Sequence, residues 1–484
     1  MTFAANRLDT AMAETLPLLP EERSWSFIDM LSVKGGLAIA TWGFLFGGAT
    51  GQLVGFIDGL IALTFGTALG IGLLFFALVI PVHRYGCESF VFMRSAFGPR
   101  GSSLLAVPFV LGVVPFWMAI LASMAGGSAE QLLVSISLVT AANEMPLSTA
   151  IALGVLVLGC VVAAFGSEGL RLLNLAVLPL LVMLSLSLFV AVIFSSGWSA
   201  ILEAGPIAPP YDRGTSFLLA VELNIVAGLS WFGLAANLGR YGKSPRGAIW
   251  GSWLGLVVIS LLPCLAGLAS SLALGSADPV EWMTPLLGPA LGLSMLAVLI
   301  LANLSSVVGM LQGNMATIVQ NFGPLARRLG YGGILVALTL AASGIVLLAT
   351  DALYTGFYSI VAFFGAMFSA AIGVLSADRL ALRRGTLLVG ALHDPREGLS
   401  YAFWHGINPA AFAAMATGSA VYIAFLEPVS QVPGPMFAAT TATLPAALAA
   451  FAAHFLLTRW LVIPTGRGGY RKNLSWARFS CFSH

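Results

Sequence analysis

Residues 34–55 read KGGLAIATWGFLFGGATGQLVG, a stretch apolar enough to enter a bilayer that nevertheless carries seven glycines. Glycine costs roughly 1 kcal/mol against alanine inside a helix. A glycine-rich span with Thr41 and Thr50 embedded therefore predicts backbone that opens and exposes its carbonyls. Opened backbone is tolerated at bilayer depth only where it lines a cavity enclosed by protein. A second stretch of the same character, ELNIVAGLSWFGLAANLGRY at residues 222–241, is interrupted by Gly228, Gly233 and Gly239. Two such spans in corresponding places of two halves point to a secondary transporter built from inverted repeats, with its site near the bilayer midplane.

Composition agrees. Of 484 residues 58% are hydrophobic and 9% charged, against about 25% charged in ordinary soluble domains, and the mean hydropathy is +0.95. This is a polytopic membrane protein with the lipid bilayer as its solvent. A net charge of +2 without a contiguous basic stripe gives no reason to expect a nucleic-acid partner, and no obligate protein partner is evident. Cys87, Cys160, Cys264 and Cys481 are far apart and read as packing residues. Residues 1–30 lack the order of a cleavable signal and read as a cytoplasmic leader. The excess of arginine over lysine and the abundant alanine suggest a bacterial chain of the inner membrane.

At about 20 apolar residues per span, twelve transmembrane helices are predicted: 31–54, 57–81, 103–127, 146–166, 172–196, 216–238, 248–274, 289–319, 332–350, 353–376, 409–427 and 440–463. With both termini inside, every basic residue except Arg213 falls in an inner segment, Lys34 among them, as the positive-inside rule requires. The inner link 83–102 mixes amphipathic spacing with three arginines and is expected on the membrane face. The outer segment 197–215, with Pro206, Pro209 and Pro210, divides a five-helix repeat at 31–196 from a second, inverted one at 216–376. A cytoplasmic linker, 377–408, breaks at Asp394-Pro395 and leads to two extra helices at 409–463 and a cytoplasmic tail at 464–484.

The helix ends carry motifs: Arg23-Ser-Trp25 before the first span; Tyr85-Gly86, Arg94 and Phe97-Gly98 after the second; Gly239-Arg240-Tyr241-Gly-Lys-Ser244 after the sixth; Ala377-Asp378-Arg379 and Arg383-Arg384-Gly385 after the tenth. In this order the chain resembles the nucleobase:cation symporter family, the permeases of cytosine, purines, uracil, allantoin, hydantoins and thiamine-related compounds. The resemblance implies the sodium-symporter-like, all-α fold of two inverted five-helix repeats plus two C-terminal helices. It also implies a flat heterocycle held between the first, third, sixth and eighth helices, and transport by alternating access.

On that resemblance Trp117 stands where the family stacks a tryptophan on its substrate. Trp231 is the second aromatic candidate, although alignment on Asn237-Leu-Gly-Arg240 would instead place that aromatic near Gly228. The family's edge-binding glutamines fall at Leu121 and Ala40, both apolar here, while Gln312 and Asn314 stand where it has an asparagine; Asn237 and Asn224 are further amides of the sixth span. For a coupling sodium ion, Ala302, Ser305 and Ser306 match the pattern of one carbonyl and two hydroxyls on one helical turn, and carbonyls near Gly36 and Ile39 would complete the shell. The alternative for both serines is a bond back to their own helix. Glu222, an acid inside a span at a cost of roughly 2.5–3.5 kcal/mol, is the candidate if a proton drives transport instead. Beyond that ion no cofactor is expected. An enzyme finds no support, since the spans hold no HExxH, phosphate loop or convergent carboxylate pair. An amino-acid symporter of the same fold and an uncoupled facilitator are the rival functions.

Overall fold

The computed structural model describes residues 11–138, 144–393 and 400–470, and among them the chain is helical without a strand. Arg7, the break at Asp394-Pro395, Arg396 and the end of the tail with Arg471, Lys472, Arg478 and Cys481 lie outside the described residues. Ser26 opens the first helix by reciprocal capping: the Asp29 amide donates to Ser26 Oγ (3.2 Å) and the Ser26 amide to Asp29 Oδ2 (2.8 Å). That helix is in two pieces, α1a (Phe27–Ala38) and α1b (Thr41–Leu53), bent by 57°. Next come α2 (Phe56–Tyr85), α3 (Pro99–Ser135), α4 (Leu147–Ala163) and α5 (Gly166–Ser196). The sixth helix is again split, into α6a (Arg213–Leu229) and α6b (Leu234–Gly239). It is followed by α7 (Pro245–Leu274), α8 (Pro279–Asn321), α9 (Gly323–Ala349) and α10 (Phe357–Leu382). Finally α11 (Pro409–Phe425) and α12 (Thr443–Thr465) pack on each other and on α10.

Among the described residues eight helices are long and apolar enough to cross a bilayer, and the bent pair α1a–α1b makes nine. The twelve spans of the sequence reading additionally require the shorter α4 and α11 and the divided α6. The packing carries the inverted repeat. α1b lies along α7 as α6a lies along α2, and α3 lies against α8. That is the exchange expected of a two-fold axis that swaps the first five helices with the next five.

Most glycines of the opening stretch serve this packing and not the break. A methyl added at Gly47 would overlap the Cys264 carbonyl of α7, and one at Gly51 would overlap Ser271 Oγ. On the partner pair, a methyl at Gly228 would stand 2.9 Å from the Ile71 amide of α2. The backbone opens instead at Ile39 and Ala40, which leave the helical region with φ −95° and −128°.

Two expectations are corrected. Lys34 is not a topological charge at a helix end: it is buried within α1a, and its ammonium donates to the Ala235 carbonyl of α6b at 2.7 Å. The link 83–102 does not lie on the membrane face. Its helix Ser89–Phe97 is buried along its whole length, with Arg94 donating to the carbonyls of Leu392 (2.8 Å) and Gln320 (2.9 Å). Arg94, one of the three arginines of the link, is spent on main-chain acceptors of the core. Burial also pushes the thiol of Cys87 up to about 12, which leaves it an inert packing group.

Candidate functional site

The two helix breaks face each other across a small cavity of ≈ 40 Å³. Leu37 and Trp42 reach it from the halves of α1, Trp117 and Leu121 from α3, Ser230, Trp231 and Leu234 from the break of α6, and Ser306 and Met310 from α8. The helices the resemblance named thus supply its walls. Three indoles dominate. Trp42 stands 6.4 Å from Trp117 at 71° and 5.9 Å from Trp231 at 64°, ring centroid to ring centroid. Phe357, at the start of α10, abuts Trp117 edge-on at 5.8 Å and meets Phe46 of α1b at 5.8 Å.

The polar inventory is sparse. Ser230 Oγ is engaged with the Ala227 carbonyl at 2.7 Å. The buried indole N–H of Trp117 has no partner among the described residues, and an unpaired buried donor costs about 1–3 kcal/mol. Among the described residues no charged side chain lines the cavity. The arrangement suits a flat, largely apolar ring with an acceptor on its edge.

Of the residues nominated from sequence, the cavity brings together Trp117, Trp231, Leu121 and Ser306. Ala40 contributes buried main chain at the break, and Gly228 packs against α2. Gln312 turns to Tyr331, whose hydroxyl donates to Gln312 Oε1 at 2.5 Å. Asn314 donates to the Met310 carbonyl at 2.7 Å. Asn237 belongs to a separate network: its Oδ1 accepts from Ser89 Oγ (2.6 Å), and its Nδ2 donates to the Gly313 carbonyl and Thr317 Oγ1, both at 3.0 Å. Asn224 donates to Thr50 Oγ1 at 3.1 Å. None of these amides borders the cavity. Trp42 was passed over in the sequence reading, although it lies two residues beyond Ala40 in the decisive stretch; a tryptophan beside a predicted opening of the backbone was the available signal.

Beside the cavity, α8 turns Ser305 and Ser306 towards α1a and α5. Ser306 Oγ approaches the Leu37 carbonyl at 3.4 Å, and Ser305 Oγ donates to Asn174 Oδ1 at 2.8 Å. Neither hydroxyl bonds back to its own helix, as Ser128, Ser185 and Ser260 do elsewhere. Hydroxyls and main-chain carbonyls freed from helical duty are what a sodium ion coordinates, and Ser305 and Ser306 present two such hydroxyls beside the opened backbone of Ile39 and Ala40. Two residues away, Asn303 fastens the break itself: its Nδ2 donates to Thr41 Oγ1 at 2.7 Å and its Oδ1 accepts from the Thr41 amide at 3.4 Å.

Glu222 lies apart from both. Its Oε2 accepts from the amides of Ala442 (3.1 Å) and Thr443 (3.2 Å), and its Oε1 from Thr443 Oγ1 (2.7 Å). It therefore caps the N-terminus of α12 from α6a, where a negative charge is favoured by the helix dipole.

The chain is similar in fold to Mhp1, a nucleobase-cation-symport-1 family transporter. Against its closed conformation with bromovinylhydantoin bound, the TM-score is 0.75 at 19% identity, covering 93% of this chain and 96% of that one. Against the inward-facing conformation of Mhp1 the TM-score is also 0.75, at 18% identity and 93% of either chain. A Na+-coupled sialic acid symporter in a substrate-bound outward-open state matches with TM-score 0.63 at 10% identity, covering 94% of this chain and 96% of that one. No curated relative matches the sequence significantly. These neighbours are transporters, not enzymes, and the model of a family described as permeases for cytosine/purines, uracil, thiamine and allantoin matches residues 17–445. The helix-end motifs, the paired broken helices and this match lead to one statement: the chain belongs to that family of permeases.

Proposed function

We propose that this permease imports a flat nitrogen heterocycle of low polarity, coupled to a cation, with both termini on the cytoplasmic side of the inner membrane and residues 31–196 and 216–376 as its two repeats. The observation that carries the substrate class is the meeting of Trp42, Trp117 and Trp231 at the two helix breaks, with the buried indole N–H of Trp117 unpaired. Aromatic faces hold a planar ring by stacking, and an unpaired donor favours a ring with an acceptor at one edge. A zwitterionic amino acid is disfavoured because the lining gives its ammonium no carboxylate to meet. Leu121 and Ala40, at the family's glutamine positions, remove amides that a multiply hydrogen-bonding hydantoin would use, so the ring is expected to be less polar than that. Sodium is the preferred coupling ion. Ser305 and Ser306 are turned off their own helix beside the α1 break, whereas Glu222 is committed to capping α12.

A thermal-shift screen of the purified protein against nucleobases, hydantoins, allantoin and thiamine precursors, with and without sodium, tests the reading. A ligand that binds the native state stabilises it by RT ln(1 + [L]/Kd). The expected outcome is stabilisation by one heterocycle class, larger in sodium than in potassium. Stabilisation by amino acids and by no heterocycle would overturn the substrate class.

A further inference from the structure

Asn174 stands in the third turn of α5, fully buried in an apolar helix. Its Nδ2 donates back to the Leu170 carbonyl at 2.9 Å, which fixes the amide plane and leaves Oδ1 pointing out of the helix. That oxygen accepts the Ser305 hydroxyl at 2.8 Å. It also lies directly against Gly36 of α1a, where an added methyl would overlap it. Ser306, the next residue of α8, approaches the Leu37 carbonyl on the same side. Three helices thus converge on one small group of neutral oxygens, and only two of them were expected to contribute.

A hydroxyl that ligates a cation must send its hydrogen elsewhere, because the ion takes the lone pairs. In an apolar helix the default acceptor is the carbonyl one turn back, and that bond holds the oxygen close to its own helix wall. Asn174 Oδ1 offers Ser305 a different acceptor, across the helix interface. The amide can do this without carrying charge and without being consumed, since its oxygen has two lone pairs. Gly36 is the complementary feature on α1a: with no side chain there, the amide reaches the turn that ends in the opened backbone of Ile39 and Ala40.

We propose that Asn174 is a positioning residue of the cation site: it accepts the hydrogen bond of the Ser305 hydroxyl and thereby aims the Ser305 oxygen at the ion, so that α5 joins α1 and α8 in holding it. This rests on the cation reading given under the proposed function. Once Asn174 is lost, Ser305 falls back to its own helix and ceases to be a ligand.

The experiment is sodium-induced thermal stabilisation of the substrate-free full chain, with choline chloride as the ionic-strength control. It compares the wild type, Asn174→Ala, Ser305→Ala and the double variant. Removing a group that orients a ligand typically weakens a metal site about 10–100-fold. Each single variant is expected to raise the half-saturating sodium concentration within that range. The double variant is expected to match the weaker single, because both changes remove the same interaction. Ser306→Ala combined with Asn174→Ala should instead multiply the losses. If Asn174→Ala does not fold, Asn174→Ser, which withdraws the acceptor from Ser305 but keeps a polar group, carries the same expectation. A wild type without any sodium response overturns the cation reading and this proposal with it. A wild type that responds, beside an Asn174→Ala or Asn174→Ser variant that responds equally, overturns this proposal alone. So does a double variant whose losses multiply.

Discussion

The breaks in α1 and α6 occupy equivalent places in the two repeats, yet they are made differently. In α6 the chain turns at Gly233, with φ +78° and ψ −62°, and the Phe109 ring stands 2.8 Å from where a side chain would begin. That backbone is open to glycine and strained for any other residue. In α1 the turn passes through Ile39 and Ala40 in conformations that every residue adopts, despite seven glycines nearby. What holds it is Asn303 of α8, which grips both the amide and the hydroxyl of Thr41. One break is written into its own residues, and the other is imposed by a neighbouring helix. The break that is imposed from outside lies beside the proposed ion site on α8.

This contrast sets the order of expected damage. Gly233→Ala should do most, forcing a strained conformation at about 1–3 kcal/mol and pressing on Phe109 besides. A lowered melting temperature and reduced folded yield would show it, and an unchanged melting temperature would mean that the α6 break is also held from outside. Next come the indoles. Trp42→Ala and Trp117→Ala should each remove about 1–3 kcal/mol of ring stacking, roughly a 5–150-fold loss of affinity for whichever heterocycle stabilises the protein, with the fold intact. Trp231→Ala should behave alike, since all three line one cavity. Titration calorimetry with that heterocycle checks it, and wild-type affinity in Trp42→Ala would return that residue to plain packing.

Asn303→Ala should cost less stability than Gly233→Ala, about 1 kcal/mol for the bonds to Thr41, while weakening the sodium-dependent part of substrate binding. A larger stability loss than Gly233→Ala causes would reverse the comparison between the breaks. Smallest of all, Gln312→Leu should leave substrate affinity unchanged, because Gln312 faces Tyr331 and not the cavity. A clear fall in affinity would show that its amide turns inward when substrate binds.

Much of this protein was legible in its residues. Spans declare themselves because a bilayer demands some twenty apolar residues in a row, and the α6 break falls within the glycine-interrupted stretch that the sequence shows. The two tryptophans nominated at the cavity, Trp117 and Trp231, were also in reach, since the resemblance supplied the helices that meet there. Sequence could not say which amides face inward. Asn237, Gln312, Asn314 and Asn174 are all single polar residues in apolar spans, and only the packing of their neighbours decides whether each meets the substrate, another side chain or an ion. Nor could it separate glycines that let the backbone bend from those that let helices touch: Gly47 and Gly228 look like Gly233 until α7 and α2 are laid against them. Lys34 makes the same point for charge. Its sequence position places it at a helix end, and only the approach of α6b gives its ammonium the Ala235 carbonyl and a place in the interior. Local composition determines what a segment can do in lipid, but the partner of each polar group is a long-range contact, and that was settled by the tertiary structure alone.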